Sequence, residues 1–206
     1  MFKSDELIHI LLAVLIISFV IGLAINSFLT AVVFAIIILF ANILAKKAMA
    51  YFLDCGIKIK IWYMQRYGIY ERSKFKYPVP MGVILPFIIS ILSIGQIVWL
   101  AVTEFEIYPL KSRASKKIGL YRFSELTESH INQIASCGIV ANLALAILAY
   151  LYGSPSLARY SIYFASFNML PISNLDGSKI FFGGRKIWLI LAILILIALA
   201  YSFVLV

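Results

Sequence analysis

The sequence predicts an all-α polytopic membrane protein with small surface β-strands, and three observations carry that expectation. Of its 206 residues, 63% are apolar and only 13% charged, against roughly 25% charged in an ordinary soluble domain. A soluble fold of this size could not cover its surface with so few polar groups. That excludes a soluble enzyme, a disordered chain and a secreted disulfide scaffold. The apolar residues also fall in long runs, and a spanning helix needs about 20 of them. Finally, 18 Lys and Arg stand against 9 Asp and Glu, a net charge of +9. On a membrane protein such an excess marks the cytoplasmic face. The basic residues sit in loops flanking apolar runs, so the lipid bilayer, and no nucleic acid, is the expected partner.

Six stretches reach or approach spanning length: Leu7–Ile25, Phe28–Phe52, Val79–Val102, Ile134–Tyr152, Leu157–Leu170 and Ile187–Val206. They give about five spanning helices plus one re-entrant segment or sixth span. Leu157–Leu170 is short unless it continues through Pro171 toward Asp176. The first run is too long for a signal peptide, is preceded by Asp5 and Glu6, and has no small-residue cleavage site after it. With no internal repeat and short loops, residues 1–206 read as one polytopic membrane domain. Cys55 and Cys137 form no CxxC pattern; Cys137, beside Gly138 in an apolar run, reads as a small hydrophobe.

Between the helices, Ile57–Tyr63 reads IKIKIWY, and strict alternation predicts a strand. Glu104–Leu110 and Ile118–Phe123 flank a basic turn and predict a hairpin. Open strand edges are not tolerated in lipid, so these strands belong at the membrane surface, where pairing with one another is a second option beside the hairpin.

Positive charge sets the expected topology. Residues 46–78 carry eight Lys or Arg and residues 103–129 carry five. If Val79–Val102 crosses the bilayer, these two basic loops lie on opposite faces. If it dips in and returns, 17 of the 18 basic residues share one face and only Arg159 lies opposite. Pro86, Ser90, Ser93, Gly95 and Gln96 break the segment chemically. The re-entrant reading is favoured, placing a multi-pass protein in the cell membrane with loops 46–78 and 103–129 cytoplasmic.

Phe167–Lys179 reads FNMLPISNLDGSK. Asn168, Pro171, Asn174, Asp176 and Gly177 interrupt an apolar helix there; Pro171 frees a backbone carbonyl that Asn168 can satisfy. An ionisable group at membrane depth, such as Asp176, is a functional candidate by default. The plainer reading is an interfacial turn ending a short helix. The pattern N-x-x-P-x-x-x-L-D-G, at Asn168, Pro171, Leu175, Asp176 and Gly177, resembles the signature of site-2 proteases, the intramembrane zinc metalloproteases. Cys137–Asn142 (CGIVAN) is similar to that family's Gly-Pro-x-x-Asn helix: Gly138 and Asn142 match, and Ile139 replaces the proline. The order of elements fits over most of the chain.

The resemblance implies that Asp176 occupies the position of the family's third zinc ligand. The other two ligands are histidines four residues apart on an HExxH helix, whose glutamate activates water. The matching slot here is Asn42-Ile43-Leu44-Ala45-Lys46, with Lys47 next. Asn42 and Lys46 stand where the histidines would be, and Ile43 where the base would be. The whole chain has only His9 and His130. Isoleucine is no general base, and a charged lysine is a poor zinc ligand. The resemblance therefore implies the fold, a vestigial metal position at Asp176, no catalytic residues and no expected cofactor.

A rebuilt metal site from Glu6, His9 and Asp176 is one alternative; acids in a helix's first turn and an interfacial histidine are the plainer account. His130 reads as a solvated residue of a helix start capped by Ser124 or Thr127. A charge near mid-membrane costs about 2.5–3.5 kcal/mol and is usually paired. Lys46, or Lys47 beside it, is thus expected to approach Asp176. The competing expectation is that both snorkel to the headgroups. Three functions are in view. A pseudoprotease would bind transmembrane or membrane-proximal protein segments, with Ile57–Tyr63 available for edge pairing with a client. An active zinc metalloprotease would use non-standard ligands, with zinc as cofactor. A transporter would use Asp176 and Asn168 as a polar path, for which no repeat symmetry speaks.

Overall fold

The computed structural model describes residues 4–66, 74–110, 117–118, 121–122 and 127–204. Two long apolar runs fold back on each other as helices α1 (Ser4–Ile25) and α2 (Phe28–Phe52). The turn between them rests on Asn26 at φ 57°, a left-handed conformation that Asn tolerates better than most residues. After a two-residue turn, strand β1 (Cys55–Ile61) begins, followed by β2 (Met64–Arg66), β3 (Lys74–Val79) and helix α3 (Met81–Leu92). Strand β4 (Thr103–Pro109) and the two-residue strands β5 (Lys117–Ile118) and β6 (Tyr121–Arg122) precede α4 (Glu128–Leu151). The chain ends in α5 (Pro155–Asn168), α6 (Asp176–Gly183) and α7 (Arg185–Val204).

Among the described residues, four helices (α1, α2, α4 and α7) are long and apolar enough to cross a membrane. The other two apolar stretches make shorter helices. Leu157–Leu170 ends as α5 at Asn168 after 14 residues and does not run on through Pro171. Val79–Val102 breaks after the 12-residue α3, at Ser93 to Gly95. A 12-residue helix is about 18 Å long, short of the roughly 30 Å hydrocarbon core.

α2 packs between α1 and α4, and α5 and α6 pack on α4 and α7. Ile17, Ile21, Ile38, Leu39 and Ile134 fill the interior, while Leu15, Leu29, Leu196 and Ile197 face outward. Apolar side chains all round a helix are what a bilayer environment requires.

β1 pairs antiparallel with β4, from Cys55 opposite Pro109 to Ile61 opposite Thr103. This corrects the expected hairpin between Glu104–Leu110 and Ile118–Phe123. Lys117–Ile118 pairs with Tyr121–Arg122 instead, and the rest of the basic turn lies outside the described residues. The physical reason is the match between the distant strands. Ile57, Ile59 and Ile61 put one apolar face inward beside Phe105, while Lys58 and Lys60 on the other face stand opposite Glu106 and Glu104. The excursion that begins after Ile61 thus returns to the same sheet at Thr103. Cys55 and Cys137 form no disulfide, and the Cys55 thiol donates to Leu53 O at 3.1 Å.

Candidate functional site

The motif residues converge where α2, α4 and the start of α6 meet. Asn42 and Lys46 are four residues apart on one face of α2, and Gly138 and Asn142 are four apart on α4. Gly138 permits the close approach of these helices: a methyl group there would lie 2.5 Å from Lys46 Cε and 2.9 Å from Asn42 Nδ2. Asp176 opens α6, and Gly177 beside it lies so close to Met169 that a side chain would overlap that residue's carbonyl. Asn42, Lys46, Asn142, Asn168 and Asp176 are all buried.

Lys46 Nζ lies 2.5 Å from Asp176 Oδ2, with side-chain exposures of 3% and 0%. Lys47, one step around the helix, turns to Glu6 at 2.9 Å. Both ammonium groups are held by carboxylates of the helices, Lys46 by Asp176 and Lys47 by Glu6. Asn168 Nδ2 donates to Phe164 O within its own helix at 2.8 Å, so it does not serve the turn around Pro171. Ser161 Oγ donates to Asn142 O at 2.8 Å. Among the described residues, Asn42 Nδ2, both amide atoms of Asn142 and Asp176 Oδ1 have no hydrogen-bond partner.

The residues suggested for a rebuilt metal site are engaged elsewhere. Glu6 Oε1 meets Lys47 and accepts the Ile59 N–H at 3.3 Å, while His9 is half-buried on α1. Thr127 is the N-cap of α4, but its hydroxyl meets His130 Nδ1 at 2.6 Å and makes no cap bond. Ser124 lies outside the described residues. No group of three or more His, Cys, Asp or Glu able to hold a metal occurs among the described residues. The donor set around Asp176 does not fit zinc either: an ammonium has no lone pair to give, and one carboxylate with one amide falls short of the ligand count.

Three further residues complete the site. Lys179 sits three positions after Asp176, on the same face of α6. Its Nζ donates to Phe105 O at 2.5 Å and stands 3.8 Å from the centre of the Phe105 ring. Lys46 Nζ is 4.8 Å from the same ring. Burial pulls the Lys179 ammonium down to about 8, with Asp176 opposing and Lys46 adding to the fall. Burial pushes the Glu104 carboxyl up to about 6, against Lys179 and a hydrogen bond from Asn174. The i, i+3 spacing from Asp176 was the one sequence signal for Lys179; nothing local pointed to Phe105 or Glu104.

The sheet beside this site is closed differently on its two edges. Ile59 and Phe105 are opposite one another, and their N–H and C=O groups point away from the partner strand, as in a non-hydrogen-bonded pair. On β1's side, Glu6 takes the Ile59 N–H. On β4's side, Lys179 takes the Phe105 carbonyl. A cleft of about 400 Å³ runs along that side, between Glu104, Glu106 and Ile107 of β4 and Ile131, Asn174 and Lys179. A second, apolar groove of about 590 Å³ lies beside Met169 to Pro171, walled by Phe167, Trp188 and Leu196.

No protein-family model, no curated protein and no solved structure matches the chain.

Proposed function

We propose that this chain is a site-2-protease-like membrane protein that binds transmembrane or membrane-proximal protein segments without cutting them. The single observation that carries the reading is the Lys46–Asp176 pair. An ammonium meets the carboxylate at the position where the resemblance calls for a zinc-bound ligand. Ile43, in the place of the catalytic glutamate, is buried and offers no base. What is left is a way of holding a segment: the apolar groove beside Pro171 suits a membrane-embedded stretch, and the cleft along β4 suits an extended one. Pairing with a client would therefore use the edge of β4, since α1 packs against β1 and Glu6 occupies its edge. The β1–β4 pairing supports one shared side for loops 46–78 and 103–129, and their excess of Lys and Arg supports the cytoplasmic side.

Metal analysis of the purified full-length protein tests the reading. Far less than one zinc per chain is expected, unchanged in Asp176→Ala. Stoichiometric zinc that disappears in Asp176→Ala would replace this reading with an active metalloprotease using non-standard ligands.

A further inference from the structure

Among the described residues, the outer edge of β4 is the strand edge beside the site with no strand paired to it. The described sheet has only two strands, β1 and β4, so no described strand lies on that side. Along a strand, alternate residues point their backbone groups the same way, so Ile107 presents its N–H and C=O on the same side as Phe105. An incoming extended segment would need the Phe105 carbonyl as an acceptor. In the structure that carbonyl is held by the Lys179 ammonium.

Lys179 is half-buried, and a lysine displaced from the carbonyl gains by meeting another anion or acceptor, because an ammonium drawn partly out of water without one is costly. One stands ready. Asp176 Oδ1 is buried with no hydrogen-bond partner among the described residues, while Oδ2 is taken by Lys46. Lys179 lies three residues along the same helix face, within side-chain reach of it.

We propose that Lys179 is a latch on the open edge of β4, holding the Phe105 carbonyl when no segment is bound and moving to Asp176 when an extended polypeptide pairs with that edge. The inference rests on the binding function proposed above. It makes Lys179 a gating residue and ties the edge to the Lys46–Asp176 pair. The occupant is recognised through its backbone, so its side-chain sequence matters less than its ability to lie extended.

The test uses the full-length protein in detergent micelles and a fluorescent alternating Thr–Val heptapeptide as probe. A second probe carries N-methyl groups on the residues whose N–H would face β4. Lys179→Met is expected to bind the first probe about tenfold more tightly than wild type, the scale of one hydrogen bond to a charged group. Lys179→Arg is expected to stay near wild type, and the N-methylated probe to bind neither. Should Lys179→Met not fold, wild type alone decides: its affinity is expected to rise between pH 7 and 9.5 as the ammonium loses its proton. The charged groups around Lys179 are Asp176 on its own helix, Lys46 on α2, Glu104 and Glu106 on β4, and Glu128 on α4. Equal affinity in wild type and Lys179→Met, or a flat pH series in wild type, overturns the latch and leaves edge binding standing. Absence of binding by both proteins, or equal binding of the N-methylated probe, overturns edge binding itself.

Discussion

Lys46 and Lys47 are neighbours in the chain, yet they make two unlike ion pairs. Lys46 points into the helix junction and meets Asp176 with both side chains sealed, at 3% and 0% exposure. Lys47, about 100° further round the helix, meets Glu6 near the sheet and keeps 21% of its side chain exposed. Glu6 also accepts a backbone N–H, whereas Asp176 Oδ1 has no such support among the described residues. The lesson is that a charge pair's role follows from how its members are solvated rather than from its length. Where both partners are sealed, each is present only because the other is.

Removing one member of each pair separates the two roles. Lys46→Met strands a buried carboxylate and is expected to cost about 3–5 kcal/mol of unfolding free energy, read by SDS or thermal unfolding in micelles. The double variant Lys46→Met with Asp176→Leu is expected to recover most of it, since two apolar groups can replace a buried pair. Equal losses in the single and double variants would show that the two residues do not depend on each other.

Lys47→Met is expected to cost less, about 1–2 kcal/mol, because Glu6 retains the Ile59 N–H and Lys47 is partly solvated already. A loss as large as that of Lys46→Met would show that the two pairs are solvated alike.

Spacing and motif register made part of the site legible in the sequence. Asn42 and Lys46 fall four apart in an apolar helix, and Asn168, Pro171, Asp176 and Gly177 announce a break in another. The small residue needed opposite Lys46, Gly138, was also visible. The partner of β4 was visible only as the general option that the surface strands pair with one another. A hairpin is the local solution for strands separated by a turn, but the interior face of Ile57, Ile59 and Ile61 and the opposed charges of Lys58 and Lys60 selected a strand far away. Nor could the sequence bring Lys179 to Phe105, because that contact depends on where β4 lies rather than on anything within α6. α5 looked like a span because composition alone does not reveal where a helix stops; it ends before Pro171, which cannot donate the next backbone bond.

The smallest expected effect lies outside both pairs, at the buried Glu104 beside Lys179. Its carboxyl is raised from 4.5 to about 6, first by burial. The folded state thus holds this proton more firmly than the unfolded chain does. Its contribution to stability is full below about pH 4.5 and is lost as pH rises through about 6. Glu104→Gln is expected to flatten that part of the stability profile between pH 4 and 7, measured by denaturant midpoints. An unchanged slope would assign it to other groups.

The pairing of Ile61 with Thr103 also fixes a timetable for synthesis. The two residues are 42 positions apart (103 − 61). At roughly 5–20 residues per second, β1 waits about 2–8 s on the ribosome before its partner strand emerges. Throughout that interval α1 and α2 are already made, so Glu6 can guard one edge of β1 from the outset. The other edge stays unpaired until α3 has been threaded and β4 arrives. Whatever protects a half-built sheet during translation must therefore act on that single edge, and only for those few seconds.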